Sequence, residues 1–475
     1  MNSHGTERWR NSVNKSKNLV GLRFLMLSTA ALSLGIVFGV IGGFQFLFPS
    51  FLEALSFTST RPLHVSLVVS WIFLAAIGGI YYYLPNKCDL PLWSDKLPRW
   101  HFWLFLVTGL TIIAAYLAGK FGGREYFAYP AALSIPIVIS WLLFAVNYFK
   151  TAFKQAGKWP VYLWMWGTGI FFFLFTFLEA HLWLLPFFRE NMVREITVQW
   201  KSYGALTGSW NMMVYGTALF VAGKIAGDDQ IGRSKMAFAM YFLGLAGLMF
   251  GWAHHTYLVP SEPWIRHLAY IISMSELLLL AKILWDWRGS LDCYQKNLHC
   301  NAYRFFVAAD FWILINMILA IIISVPALNL ITHGTHITVA HAMGTTIGIN
   351  TMILLGSMYY VIREELPMRM RAACSNQVRV GFWMTNISLA VLFASLVMAG
   401  IGKGLFEGGA FQQMMMDIRP YLMTFAFSGV VLMLGLLILM FNAFRQLRSI
   451  LREPTVEAGF ELPAGMEGVT EPSLD

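Results

Sequence analysis

Charge is what this chain has least of. Only 12% of its 475 residues are Asp, Glu, Lys or Arg, while 57% are hydrophobic and the mean hydropathy is +0.59. A soluble domain carries roughly twice that charge, so a water-solvated globule of this length is excluded. Paired cysteines are missing as well. Cys88, Cys293, Cys300 and Cys374 stand apart, with no CxxC or CxxCH, which excludes a covalently attached c-type haem and a disulfide framework. No cleavable signal peptide is evident: the polar start, with Arg8, Arg10, Lys15 and Lys17, leads into an apolar run too long for a signal core. No solenoid repeat is visible. The net charge of +9 does not point to nucleic acid, because the basic residues sit in short loops between apolar runs and read as topology signals.

What is present is a series of apolar runs about 20 residues long, the length that crosses a bilayer as helix. The pattern predicts an all-α, polytopic membrane bundle of about twelve helices, near 24–47, 64–85, 101–120, 130–150, 162–186, 203–225, 237–258, 265–286, 304–326, 336–361, 381–402 and 420–443. Three regions follow: a cytoplasmic N-terminal segment (1–23), a single transmembrane domain (24–445) and a disordered cytoplasmic tail (446–475). Lys and Arg concentrate in the loops after even-numbered helices and at both termini, with the loop after helix 5 (Arg189, Arg194, Lys201) an exception. Both ends are therefore expected in the cytoplasm. All four cysteines then fall on the reducing side, as free thiols.

This topology sorts the histidines by depth. His64 opens helix 2; His254 and His255 close helix 7; His333, His336 and His341 lie before or within the start of helix 10; His181 ends helix 5 and His267 begins helix 8. All eight fall at the outer end. One such histidine is ordinarily a polar cap at the interface. Convergence from helices far apart in sequence points instead to a cavity or cofactor, since neutral imidazole is a common ligand for iron and copper. Adjacent residues on an α-helix point about 100° apart, so His254 and His255 share one metal only if the chain bends locally. The residues alone thus indicate a multi-helix haem or metal protein with its site in the outer half of the membrane.

Five motifs carry a resemblance: "RPLHVSLVVSWIFLAAIGGIYYYLP" around His64, "GREYF" at 123–127, "GWAHHTYLVP" at 251–260, "SMSE" ending in Glu276, and "THGTHITVAHAMG" at 332–344. In this order they resemble the haem-copper oxidase superfamily, most closely the catalytic subunit of bacterial nitric oxide reductase, from helix 1 through about helix 11. The resemblance implies that His64 ligates a low-spin haem b and that His341 holds a high-spin haem b. It implies that His254 and His255 hold a non-haem iron or copper, and that Glu276 carries protons near the active site. Glu125 would help hold a calcium ion between haem propionates and a partner subunit.

The chain departs from the family twice. Where the second axial histidine of the low-spin haem belongs, this sequence has Met343. A thioether is a competent ligand, and His/Met ligation raises the reduction potential relative to bis-His, so His64/Met343 ligation is expected; with 25 methionines, plain packing is the alternative. Helix 6 contains no histidine. Ungapped matching puts Tyr203 where the third metal-ligating histidine belongs, and Thr207 and Asn211 where glutamates follow. Tyr203 as phenolate, or His181 folding in from helix 5, are two ways to complete the site. Glu179 and Asp310 are intramembrane acids without an assigned role.

The resemblance implies a respiratory oxidoreductase of the bacterial cytoplasmic membrane. It would reduce nitric oxide, with a separate cytochrome c-type subunit or quinol as donor. A divergent haem protein for electron transfer or gas sensing, with the non-haem metal lost or altered, is one alternative, and a terminal oxygen reductase is another. A secondary transporter lacks the interrupted helices in matching halves that this class uses.

Overall fold

The computed structural model describes residues 19–452 apart from 258, 261, 273–274, 367–374 and 407. Among the described residues twelve long helices follow one another: α1 (Val20–Leu47), α2 (Phe57–Lys87), α3 (Lys96–Leu117), α4 (Ala131–Ala152), α5 (Val161–Leu184), α6 (Met192–Ala226), α7 (Lys235–His255), α8 (Pro263–Ser290), α9 (Cys300–Ser324), α10 (His336–Glu365), α11 (Asn376–Gly404) and α12 (Phe411–Arg452). Among the described residues, 11 helices are long and apolar enough to cross a membrane. The twelfth, α6, is more polar yet buries Gln199, Ser202, Ser209 and Trp210 in the bundle. Only helices satisfy their own backbone in hydrocarbon, and no strand occurs among the described residues.

Several helices outrun their apolar cores. α2 starts at Phe57 rather than 64, α6 at Met192 rather than 203, and α12 spans Phe411–Arg452 rather than 420–443. Charged residues end an apolar run without ending a helix, whose termini extend into the interface. The expected tail is accordingly helical to Arg452. Its remainder, like the expected N-terminal segment before residue 19, lies outside the described residues. A second correction concerns the thiols. Cys88 and Cys293 are free, but Cys300 is disulfide-bonded, and Cys374 lies outside the described residues.

Polar groups inside the bundle are mostly matched. Trp141 donates to the Ile170 carbonyl, Trp287 to Ala222, and Tyr148 to Leu163. At one end Tyr82 donates to Glu365 (2.7 Å), Lys87 pairs with Glu364, and Tyr83 bonds Ser357 (2.6 Å). These contacts tie the C-terminal ends of α2 and α10 together. The N-terminal ends of the same helices, with His64 and His341, and the C-terminal end of α7, with His254 and His255, therefore share the opposite end.

α1 and α2 pack backbone to backbone. A Cβ on Gly78 would lie 2.9 Å from the Leu25 amide and 3.0 Å from the Gly21 carbonyl. Close glycine-mediated approach is a standard device where lipid removes the hydrophobic incentive to associate. Gly78→Val should destabilise the bundle by about 1–3 kcal/mol through overpacking, read as a lower Tm of the detergent-solubilised protein. Gly109→Ala, which meets nothing within 4 Å, should leave the Tm unchanged.

Candidate functional site

His64 sits on α2 against the glycine face of α1. Its Nδ1 donates to the Gly35 carbonyl (2.8 Å), which fixes the tautomer and leaves the Nε2 lone pair available. Among the described residues Nε2 has no hydrogen-bond partner. A Cβ on Gly39 would come within 2.6 Å of Nδ1 and 2.7 Å of Cε1, so the ring occupies space that only glycine leaves. Sequence reasoning found His64 but not Gly35 or Gly39, which are unremarkable until the ring is seen lying on them.

His341 lies on the first turns of α10. The Asn316 amide of α9 is 3.3 Å from its Nδ1. In the amide orientation that satisfies both of its ends, the Asn316 nitrogen donates to the His341 carbonyl (3.2 Å) and to Nδ1, and its oxygen accepts from the Thr345 N–H (3.2 Å) and Oγ1 (2.7 Å). The ring is thereby held in place, and ligation through Nε2 would require the proton to move to Nδ1 and the amide to turn its oxygen toward it. An outer hydrogen bond of this kind orients a ligating histidine. Two positions on, Met343 leaves the helix about 200° round from His341, so the two side chains serve opposite sides of α10. Immediately after it, Gly344–Thr351 is π-helical, a wider turn found mostly at functional positions. Inward of that stretch α10 is fully buried through Ile362, whereas His341 and Met343 are half-exposed and Ala342 is exposed.

The local bend required of the adjacent histidines is present. α7 leaves α-helical geometry at Phe250, and Gly251–His255 tightens into a 3-10 turn. The His254 and His255 ring centroids are 4.1 Å apart. Both Nδ1 atoms are buried and have no hydrogen-bond partner among the described residues. Trp200 of α6 stacks on His255 (5.5 Å, 15° between planes). His333, on the turn between the short helix Pro326–Thr332 and α10, approaches His255 edge-on at 6.1 Å and is half-buried. Desolvation lowers its pKa, which favours the neutral, ligating imidazole. His341 is an electrostatic neighbour of both members of the pair.

Other expected residues fall elsewhere. The Tyr203 hydroxyl donates to Gln199 of its own helix, and its ring packs against Tyr126 (4.8 Å) and Phe127 (6.1 Å). It is not brought to the histidine pair as a ligand. Nor is His181: its Nε2 bonds Ser134 (2.6 Å) and its Nδ1 bonds the Phe177 carbonyl (2.7 Å), so neither nitrogen is free. His267 is exposed. Glu179 pairs with Lys201. Glu125 pairs with Arg61 of α2 (2.6 Å), so a cation there would compete with a guanidinium. Glu276 lies over the glycine face of α7, where a Cβ on Gly247 would be 3.4 Å from its Oε2, and that oxygen is buried without a partner among the described residues. Gly247 precedes His254 by seven residues, about two helical turns.

The donor set fits haem iron at His64 and His341, each with one nitrogen engaged and the other open. The fit to a non-haem metal is partial. Two uncommitted imidazoles converge, but among the described residues no group of three or more His, Cys, Asp or Glu is set to hold an ion.

Likeness to known proteins accords with this geometry. The family described as "Cytochrome C and Quinol oxidase polypeptide I" matches residues 19–431. The chain is 25% identical to a nitric oxide reductase subunit of Stutzerimonas stutzeri, over 77% of this chain and 80% of that protein. It is 22% identical to the CcoN1 subunit of a cbb3-type cytochrome c oxidase of the same organism, over 83% of this chain and 86% of that one. Its fold is similar to that of a heme-copper terminal oxidase dimer solved by electron cryo-microscopy, with a TM-score of 0.73 at 14% identity, covering 92% of this chain and 84% of that chain.

Two substitutions probe the supports. Gly39→Ala should displace the His64 ring and cut haem retained at that site, measured as haem per protein and as loss of the low-spin optical signature. Asn316→Leu should weaken binding at His341 about 10–100-fold, read by haem content after gel filtration, with the low-spin signature retained.

Proposed function

The chain belongs to the cytochrome c and quinol oxidase polypeptide I family of haem-copper oxidases, and we propose that it is the catalytic subunit of a membrane oxidoreductase that reduces nitric oxide. The observation that carries this reading is the placement of His64 and His341. They sit at one end of the bundle on separate helices, each with Nδ1 hydrogen-bonded to a neighbouring helix and Nε2 without a protein partner among the described residues. His64 with Met343 would hold a low-spin haem b, His341 a high-spin haem b, and His254 with His255 a non-haem iron or copper. When bound, these groups supply electron transfer and a pair of adjacent metals able to hold and polarise two small nitrogen oxides at once.

The protein's own residues have distinct tasks. Gly35 fixes the His64 tautomer, and Asn316 holds the His341 ring. Trp200 walls one side of His255 and excludes water there. Glu276 can hold a proton on Oε2 two turns inward of the pair, where reduction of nitric oxide to nitrous oxide and water consumes protons. Electrons would come from a cytochrome c-type partner or from quinol. The Lys/Arg-rich loops lie at the end opposite the histidines, which supports a cytoplasmic-membrane protein with both termini inside and the reaction on the outer side. The likeness to a nitric oxide reductase supports nitric oxide as substrate; the likeness to a cbb3-type oxidase favours oxygen as the second reading.

The purified protein is expected to show low-spin and high-spin haem b in its reduced-minus-oxidised spectrum and to consume nitric oxide at an electrode with an artificial donor. Oxygen consumption without nitric oxide consumption would assign it to the terminal oxidases. Haem without either activity would make it an electron carrier or sensor. Met343→Ala should abolish a sulfur-to-ferric-iron charge-transfer band, and Met343→His should lower the low-spin midpoint potential; unchanged spectra in both would remove Met343 from the ligand set.

A further inference from the structure

Two arginines stand side by side at the end of the bundle opposite the histidines, and among the described residues neither meets an acid. Arg304 lies on the second turn of α9 and Arg379 on the first turn of α11. The Arg304 guanidinium sits over the Phe382 ring, 5.7 Å from its centroid. Phe382 follows Arg379 by three residues and shares its side of α11, and the two cations are electrostatic neighbours. Arg304 Nη1 is buried and has no hydrogen-bond partner among the described residues. The glutamates that end α10 are engaged elsewhere, Glu364 with Lys87 and Glu365 with Tyr82. Residues 366–375, which join α10 to α11, include no Asp or Glu.

An apolar groove starts at this pair. A cavity of about 860 Å³ runs between α11 and α12, with Arg379 and Trp383 at one end and Val391 and Met423 at the other. Arg379 to Val391 is about 18 Å along α11, close to the roughly 15 Å of hydrocarbon in one leaflet. Trp383, Ile387 and Phe427 line it as exposed side chains. The hydroxyls along it are folded away: Ser388, Thr424 and Ser428 donate to carbonyls of their own helices at 2.6, 3.0 and 3.0 Å. The groove is therefore greasy along its length and cationic at its mouth.

We propose that the groove between α11 and α12 seats an acyl chain of an anionic phospholipid whose phosphate is bound by Arg379 and Arg304. Guanidinium and phosphate make paired, charge-assisted hydrogen bonds. An anion between the two arginines would offset their repulsion and reach the unpartnered Nη1. The mouth lies at headgroup depth, with one leaflet's length of groove beneath it. Basic pockets between transmembrane helices on the cytoplasmic side bind such headgroups, and the Lys/Arg-rich end is the one read above as cytoplasmic. A second copy of this chain would bring further arginines at this depth, Arg445, Arg448 and Arg452 of α12, and not the missing anion. Such a lipid would be bound whichever small molecule the protein reduces.

The full chain, delipidated in dodecyl maltoside, is titrated with dioleoyl phosphatidylglycerol, dioleoyl phosphatidylcholine or inorganic phosphate. Bound lipid is counted by native mass spectrometry and stability is read as Tm. Phosphatidylglycerol is expected to bind as a single tight molecule per chain and to raise the Tm, and the other two to do neither. Arg379→Gln and Arg304→Gln should each weaken that binding about five- to tenfold. Ile387→Trp, which fills the groove, should weaken it with both arginines in place, and Arg452→Gln should leave it unchanged. An unaltered lipid-free Tm in each variant separates site loss from misfolding. Equal binding of phosphatidylcholine would overturn the proposal in favour of a plain acyl groove, and equal binding of inorganic phosphate in favour of a free-anion site. Unchanged phosphatidylglycerol binding in both Arg379→Gln and Ile387→Trp would overturn it as well. So would delipidated wild type that runs as a dimer and is split by Ile387→Trp, the face then belonging to a second copy.

Discussion

A bilayer has no water to lend, and that single constraint shapes the rest of the molecule. Each backbone amide must find its partner within its own helix, and a buried polar side chain without a partner is costly. Trp141, Trp287 and Tyr148 spend their donors on main-chain carbonyls of neighbouring helices, and Lys87 and Lys201 meet glutamates. Among the described residues the buried Nδ1 atoms of His254 and His255 on α7, and the Oε2 of Glu276 on the helix beside it, have no partner. Uncompensated polarity in hydrocarbon is retained where something else is meant to satisfy it, and imidazole nitrogens are suited to metal.

Much of the fold was legible because the signals that set it are long-range in composition and short-range in geometry. Twenty apolar residues make a span whatever their order, and alternation of spans decides which ends share a side. His64, His254, His255, His333 and His341 could be assigned to one end on that basis alone. Helix ends were misjudged wherever charge begins before the helix stops, as at Met192–Ser202 and beyond Ala443. The Cys300 bridge escaped as well, since spacing along the chain says little about which thiols approach in space.

The site was half legible. Metal ligands carry their own chemistry and stand out by residue type, so the histidines were found. Their supports did not stand out: Gly35, Gly39 and Asn316 act through position, and glycine and asparagine are common in any helix bundle. Side-chain direction was the other blind spot. Tyr203 matched a ligand position in register, yet its hydroxyl returns one turn to Gln199 and its ring faces the loop before α4. His181 was compatible by depth and is consumed by Ser134 and Phe177. Depth is a property of sequence plus topology; the azimuth of a side chain depends on which neighbours have already claimed its atoms.

The π-helical stretch Gly344–Thr351 gives α10 something like a gearbox. Each hydrogen-bonded ring there reaches back five residues instead of four, as the Thr351 hydroxyl does in bonding the Thr346 carbonyl at 2.8 Å, so the stretch holds more residues per turn than the helix on either side. The inner half, locked by Tyr359, Ser357 and Glu365 to α12 and α2, need not dictate the phase of the outer half. Ligand-bearing residues at 341 and 343 can be indexed to their partners while the inner packing keeps its own register. One continuous rod thereby carries two independently phased faces, a freedom that a regular α-helix of the same length would lack.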